Sequence, residues 1–123
     1  MNGQRVQRSR ERGARLPDGA IVITRPGKWG NPFGVTDCLA AGAAMTKAHA
    51  RKVCVEAFED WLNGAWRTPG GPSDILRAQM LADLPELAGK TLACWCPLFP
   101  APGERDWCHG AVLLSRAEAL VSA

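Results

Sequence analysis

With 123 residues, 46% of them apolar and 22% charged, the chain has the size and composition of one folded domain with a single core and is too short for two. No apolar run approaches the roughly 18 residues of a membrane span, and no signal-peptide core follows the N-terminal charges, so a cytoplasmic protein with no membrane partner is expected. The formal charge of +3 is concentrated rather than spread, so a basic nucleic-acid face over the folded body is not indicated.

Residues 1–16 hold Arg5, Arg8, Arg10, Arg12 and Arg15 against Glu11 alone, a net of +4 that leaves the remainder near −1. Polar and aperiodic, this stretch reads as a basic, disordered arm before a single α/β domain over residues 17–123. Contact with nucleic acid is expected only through it. Next, Ala20-Ile21-Val22-Ile23-Thr24 is a short β-branched run between turn residues, the pattern of a central strand buried on both faces. Pro26, Gly27, Gly30, Pro32 and Gly34 then make a shaped loop at the end of that strand.

Residues 36–45 suit a small helix or a loop insertion. Thr46 has the chemistry of an N-cap for a helix over 47–62 that stops at Asn63-Gly64, with Val53, Ala57, Phe58, Trp61 and Leu62 at the spacing of a buried stripe. Ser73 caps a shorter helix through Ile75, Leu76, Met80 and Leu81. Pro85 and Gly89 interrupt the chain before a second strand, "KTLACWC", and a Pro-rich loop leads to a final helix whose apolar side includes Val112, Leu113, Ala117 and Leu120.

Strands separated by helices predict parallel pairing, hence a small Rossmann-like α/β domain with flanking helices. Two strands alone are too few for a stable sheet. A third must come from residues 4–7, from residues 36–45, or from a partner subunit in a homodimer.

Two constellations carry candidate chemistry. Cys94 and Cys96 point the same way along a strand, and Cys108 and His109 stand at the start of the last helix, where backbone N–H groups favour anionic sulfur. Without an export signal the five cysteines do not suggest disulfides. Four such ligands suit zinc or iron; a metal-free thiol or imidazole site and plain core packing are the alternatives. In the loop "RPGKWGNP", Arg25 and Lys28 suit phosphate, Trp29 offers a stacking face, and Asn31 offers both donor and acceptor. No nicotinamide, flavin or ATP fingerprint is present. Both constellations follow strands, so both should face the crevice beyond the strands' carboxyl ends and form one pocket for a small nucleotide-like ligand. Hydrolysis there needs a carboxylate. Asp37, Glu56, Glu59, Asp60 and Asp106 are available, and Glu59 and Asp60 lie near the tryptophan-bearing end of the main helix.

Taken together, "RPGKWGNPF", "ELAGKTLACWCPL" and "CHGAVLL" resemble the domain of unknown function 4326 family of small bacterial and phage proteins, in segments spanning most of residues 20–115. The resemblance implies a small α/β shape similar to nucleoside deoxyribosyltransferases and nucleotide N-glycosidases, in which a pocket beside a parallel sheet holds a nucleotide. The implied activity is cleavage or transfer at an N-glycosidic bond, with His109 as proton donor or metal ligand. A non-enzymatic module held together by structural zinc or iron is the alternative.

Overall fold

The computed structural model describes residues 3–25, 27–65, 72–95 and 105–122. Its elements in chain order are β1 (Gln4–Gln7), β2 (Ile21–Val22), α1 (Val35–Ala40), α2 (Lys47–Leu62), α3 (Asp74–Asp83), a 3-10 turn (Leu84–Leu87), β3 (Thr91–Cys94) and α4 (His109–Ser122). The three strands form one parallel sheet in the order β1-β3-β2. The protein is therefore a mixed α/β domain.

The third strand comes from residues 4–7, inside the segment expected to be a disordered arm. Gln4 aligns with Thr91 and Val6 with Ala93, and the ladder is extended at each end by Gln4 N–H to Lys90 O (3.1 Å) and Arg8 N–H to Cys94 O (2.7 Å). Charge counting missed this because strand pairing uses the backbone, which arginine and glutamine supply as well as valine does. Arg5 shows the same point on the other side of the ledger of polarity: its side chain is 4% exposed and grips Asp106 in a two-pronged bond, Nε to Oδ2 at 2.7 Å and Nη2 to Oδ1 at 2.8 Å.

The strand expected at Ala20–Thr24 is shorter and lies at the sheet's edge. Only Ile21 and Val22 pair as a strand, Val22 is exposed, and Ile23 adds one further bond from its N–H to Ala93 O at 2.9 Å. The central position belongs to β3, whose Leu92, Ala93 and Cys94 are all buried.

The helices begin where their caps put them. Thr46 Oγ1 accepts the His49 N–H at 3.1 Å, and Ser73 Oγ accepts the Ile75 N–H at 3.0 Å, each satisfying a donor that the first turn leaves open. Phe58, Trp61 and Leu62 of α2, Met80 of α3, Leu84 and Leu87 of the 3-10 turn, and Val112, Leu113 and Ala117 of α4 close over Ile23 and Leu92 as one core. Ile75 and Leu120, expected on apolar faces, are exposed; Leu114 is buried instead on α4. Of residues 36–45, the first five belong to the short helix α1 and the rest are turn and loop. Among the described residues no helix is long and apolar enough to cross a membrane.

Removal of residues 1–8 distinguishes a structural strand from a solvated tail. Loss of β1 and of the Arg5–Asp106 bridge is expected to lower the melting temperature by about 10 °C or more, whereas a solvated tail gives no change. A thermal scan of the truncated chain reads the difference.

Candidate functional site

The loop between β2 and α1 is fixed before any ligand is considered. Two consecutive tight turns, Gly27 N–H to Thr24 O and Gly30 N–H to Gly27 O, fold it back on itself. A Cβ at position 30 would stand 3.0 Å from Arg25 N, Cα and Cγ, so glycine is what lets the return strand of the loop pass Arg25. Arg25 then ties the loop from within, Nε donating to Asn31 O at 2.7 Å and Nη2 to Pro32 O at 2.5 Å. Asn31 fastens it to α2: its Oδ1 accepts the Phe33 N–H at 2.9 Å, and its Nδ2 donates to Cys54 O at 3.2 Å.

His109 fastens the same loop to α4. Its Nε2 lies 2.9 Å from Ile23 O and 3.0 Å from Trp29 O, with the ring edge-on to Phe58 at 5.5 Å between centroids. Carbonyl oxygens only accept, so Nε2 must carry a proton and the atom left for other chemistry is Nδ1. Gly110 permits this approach, because a Cβ there would lie 2.6 Å from Ile23 Cδ1.

Cys108 stands just before α4, and its Sγ accepts the Gly110 N–H at 3.4 Å. Cys94 ends β3. The ligand atoms of Cys94, Cys108 and His109 all lie within 4.8 Å of one another, and all three residues are buried. Zinc bonds of about 2.3 Å to sulfur and about 2.0 Å to nitrogen put tetrahedral ligand atoms about 3.4 to 3.8 Å apart, so a contraction of about 1 Å brings this group onto one ion. The group could hold a metal ion. Cys96, the fourth expected ligand, lies outside the described residues.

Beyond the carboxyl ends of β2 and β3 opens a cleft of about 450 Å3. It is lined by Thr24, Arg25, Asn31 and Phe33 from β2's end and the loop after it, by Asp37 of α1, by Arg51, Cys54 and Val55 of α2, and by Cys94, Trp95, Trp107 and His109. Arg25, Asn31, Cys94 and His109 thus meet there as the sequence led one to expect.

Four other expected residues are elsewhere. Trp29 is 7% exposed and belongs to the core, so its ring is a plug and not a stacking face. Lys28 lies over that ring and pairs with Asp83 at the end of α3. Glu59 pairs with Arg105 at 3.2 Å, Asp60 is exposed, and neither lines the cleft. The helix turns their carboxylates away from the face that bears Cys54. Conversely, Arg51, Trp95 and Trp107 line the cleft without having been singled out. Arg51 was legible: it is three and four residues before Cys54 and Val55, hence on their side of α2.

The chemistry of the α2 wall is subdued. Burial, and then the adjacent Cys38, push the Cys54 thiol from an ordinary 9.0 up to about 11. Because the folded chain holds this proton more tightly than the unfolded chain does, stability is fully present below about pH 9 and falls as the pH rises to about 11. Denaturant titrations across that window are expected to show the decline, and Cys54→Ala is expected to flatten it.

Neither the curated proteins nor the solved structures include a significant match to this chain. One family model does match, over residues 6–119, a span that takes in part of β1, the whole loop after β2, and the Cys94, Cys108 and His109 group. With nearly the full chain covered, the protein belongs to the family described as "Domain of unknown function (DUF4326)".

Proposed function

We propose that this protein binds a small, anionic, nucleotide-like molecule in the cleft beyond β2 and β3, next to a metal centre of Cys94, Cys108 and His109. One observation carries the reading: a single cleft brings together two arginines, Arg25 and Arg51, and three aromatic residues, Phe33, Trp95 and Trp107. Guanidinium forks suit phosphate oxygens, and flat apolar surfaces suit a base. The volume falls within the roughly 300 to 1,000 Å3 usual for small-molecule sites.

Arg51 is the stronger phosphate anchor of the two. Arg25 already spends Nε and Nη2 on loop carbonyls, which leaves it its charge but fewer donors. Cleavage or transfer at an N-glycosidic bond is the reaction this arrangement fits, with Asp37 supplying the carboxylate. It is the one acidic residue among the described residues that line the cleft. His109 Nε2 is committed to two carbonyls, so a ligand-directed role for this residue falls to Nδ1.

Two thiolates and an imidazole favour zinc or iron. Cys94 and His109 line the cleft whereas Cys108 is wholly buried behind it, so an ion held by the three borders the ligand. Closure of the fourth position by Cys96 gives a structural centre, and an open fourth position gives a reactive one. The buried Cys108 favours the structural role as a second reading, in which chelation unfolds the domain. A reducing, cytoplasmic setting agrees with thiols kept for this purpose.

Calorimetric titration with a panel of purine and pyrimidine nucleotides tests the ligand. The expected result is saturable binding to at least one, weakened about tenfold or more by Arg51→Ala through the loss of a charge-assisted contact. Chromatography for free base, with Asp37→Asn as control, reads turnover in the same samples. No binding across the panel would overturn the proposal.

A further inference from the structure

The arginines and lysines of this chain divide by what they touch. Arg5, Lys28 and Arg105 are each paired with a carboxylate, on Asp106, Asp83 and Glu59. Among the described residues eleven other arginines and lysines have no carboxylate within ion-pair distance, and four of these, Arg8, Arg10, Arg15 and Arg51, lie in or beside two neighbouring clefts. These four are not scattered. Arg51 lines the main cleft. Arg8 sends Nη1 to Thr24 Oγ1 at 2.7 Å and sets its guanidinium 4.3 Å from the Trp95 ring centre, and both Thr24 and Trp95 are lining residues of that cleft. Arg10, exposed, lies 4.6 Å from the same ring. Arg8 also forms part of a second cleft of about 270 Å3 together with Gln7, Ser9, Ala14, Arg15 and Leu16. Arg8 thus lines the second cleft while touching two residues, Thr24 and Trp95, that line the first.

A nucleoside monophosphate has one phosphate group, and Arg51 with Arg25 suffices for it. Arg8, Arg10 and Arg15 continue the positive potential outward, past a tryptophan that is 37% exposed, into another depression. Unneutralised cations interleaved with an accessible aromatic ring are what a single-stranded chain needs, since its phosphates repeat and its bases expose their faces. A duplex keeps those faces in its own stack. Arg8 is also set in place rather than tethered loosely, because its N–H continues the β1–β3 ladder to Cys94 O.

We propose that the natural ligand is the end of a single-stranded nucleic acid: the terminal nucleotide enters the main cleft, the next phosphate meets Arg8 and Arg10, and the following nucleotide passes Trp95 toward Arg15. This deepens the nucleotide reading of the main cleft and rests on it. The charge of the N-terminal segment and its incorporation in the sheet then have one explanation, a strand that delivers cations to the rim.

Fluorescence anisotropy of end-labelled DNA and RNA hexanucleotides, set beside calorimetry with the matching mononucleotide, tests the proposal on the full chain. The hexanucleotide is expected to bind at least about tenfold tighter than the mononucleotide and to weaken with salt at a slope of about −1.4, as for two phosphate contacts on a single strand. The Arg8→Ala/Arg10→Ala double variant is expected to lose most of that advantage, its hexanucleotide affinity falling toward that of the mononucleotide. Arg10→Ala alone, at an exposed position, gives the same direction if the double variant folds poorly, and Arg51→Ala is expected to weaken both ligands. Equal affinity for the two ligands, unchanged hexanucleotide binding in Arg10→Ala and the double variant, or equally tight binding of a duplex overturns the inference and leaves the mononucleotide reading standing. Hexanucleotide binding that Arg51→Ala does not touch overturns it too, since the chain end is then not in the cleft. Binding of neither ligand overturns both.

Discussion

The Nε2 proton of His109 lies between the carbonyl oxygens of Ile23 and Trp29, at 2.9 and 3.0 Å, and much of this molecule follows from that placement. Two buried carbonyls at the end of β2 and in the loop beyond it need a donor, and leaving either without one costs about 1–3 kcal/mol. Supplying both from the first residue of α4 joins the first third of the chain to its last helix. It also determines what His109 has left. With Nε2 occupied, Nδ1 is the nitrogen available to the Cys94 and Cys108 sulfurs, and a carbonyl on the far nitrogen is the usual outer partner of a metal-binding imidazole.

The same bond sets the shape of the cleft. Trp29 is drawn into the core as its carbonyl is held, so the loop turns Arg25 and Asn31 toward the opening and its indole away from it. Asn31 and Arg25 both spend side-chain polar groups on the loop and on α2, making one wall stiff. Elsewhere around the cleft, Arg8 and Arg10 lie over the partly exposed Trp95 ring, cation–π contacts worth about 0.5–1 kcal/mol each at such sites.

The sequence spoke clearly where local chemistry decides structure. Thr46 and Ser73 announce their helices through capping, the glycines of the loop through the turns they allow, and the convergence of Cys94, Cys108 and His109 through the rule that ligands gather beyond parallel strand ends. It was silent or misleading where tertiary context decides. Gln4–Gln7 pairs through backbone groups that composition does not register. Trp29 has the same side chain whether it plugs a core or stacks on a base, and only the His109 bond to its carbonyl selects between them. Glu59 and Asp60 were near the right residues along the helix but on the wrong side of it, a matter of about 100° per residue. Arg51 shared the right side and stood in plain view beside Cys54.

The tautomer of His109 is the most direct measurement of this account, because fold, cleft and metal centre all meet in that ring. Long-range proton–nitrogen correlation spectra of the labelled protein are expected to show a ring protonated at Nε2, with an Nδ1 signal that shifts on addition of zinc. A ring protonated at Nδ1 instead, with a bare Nε2, would contradict it.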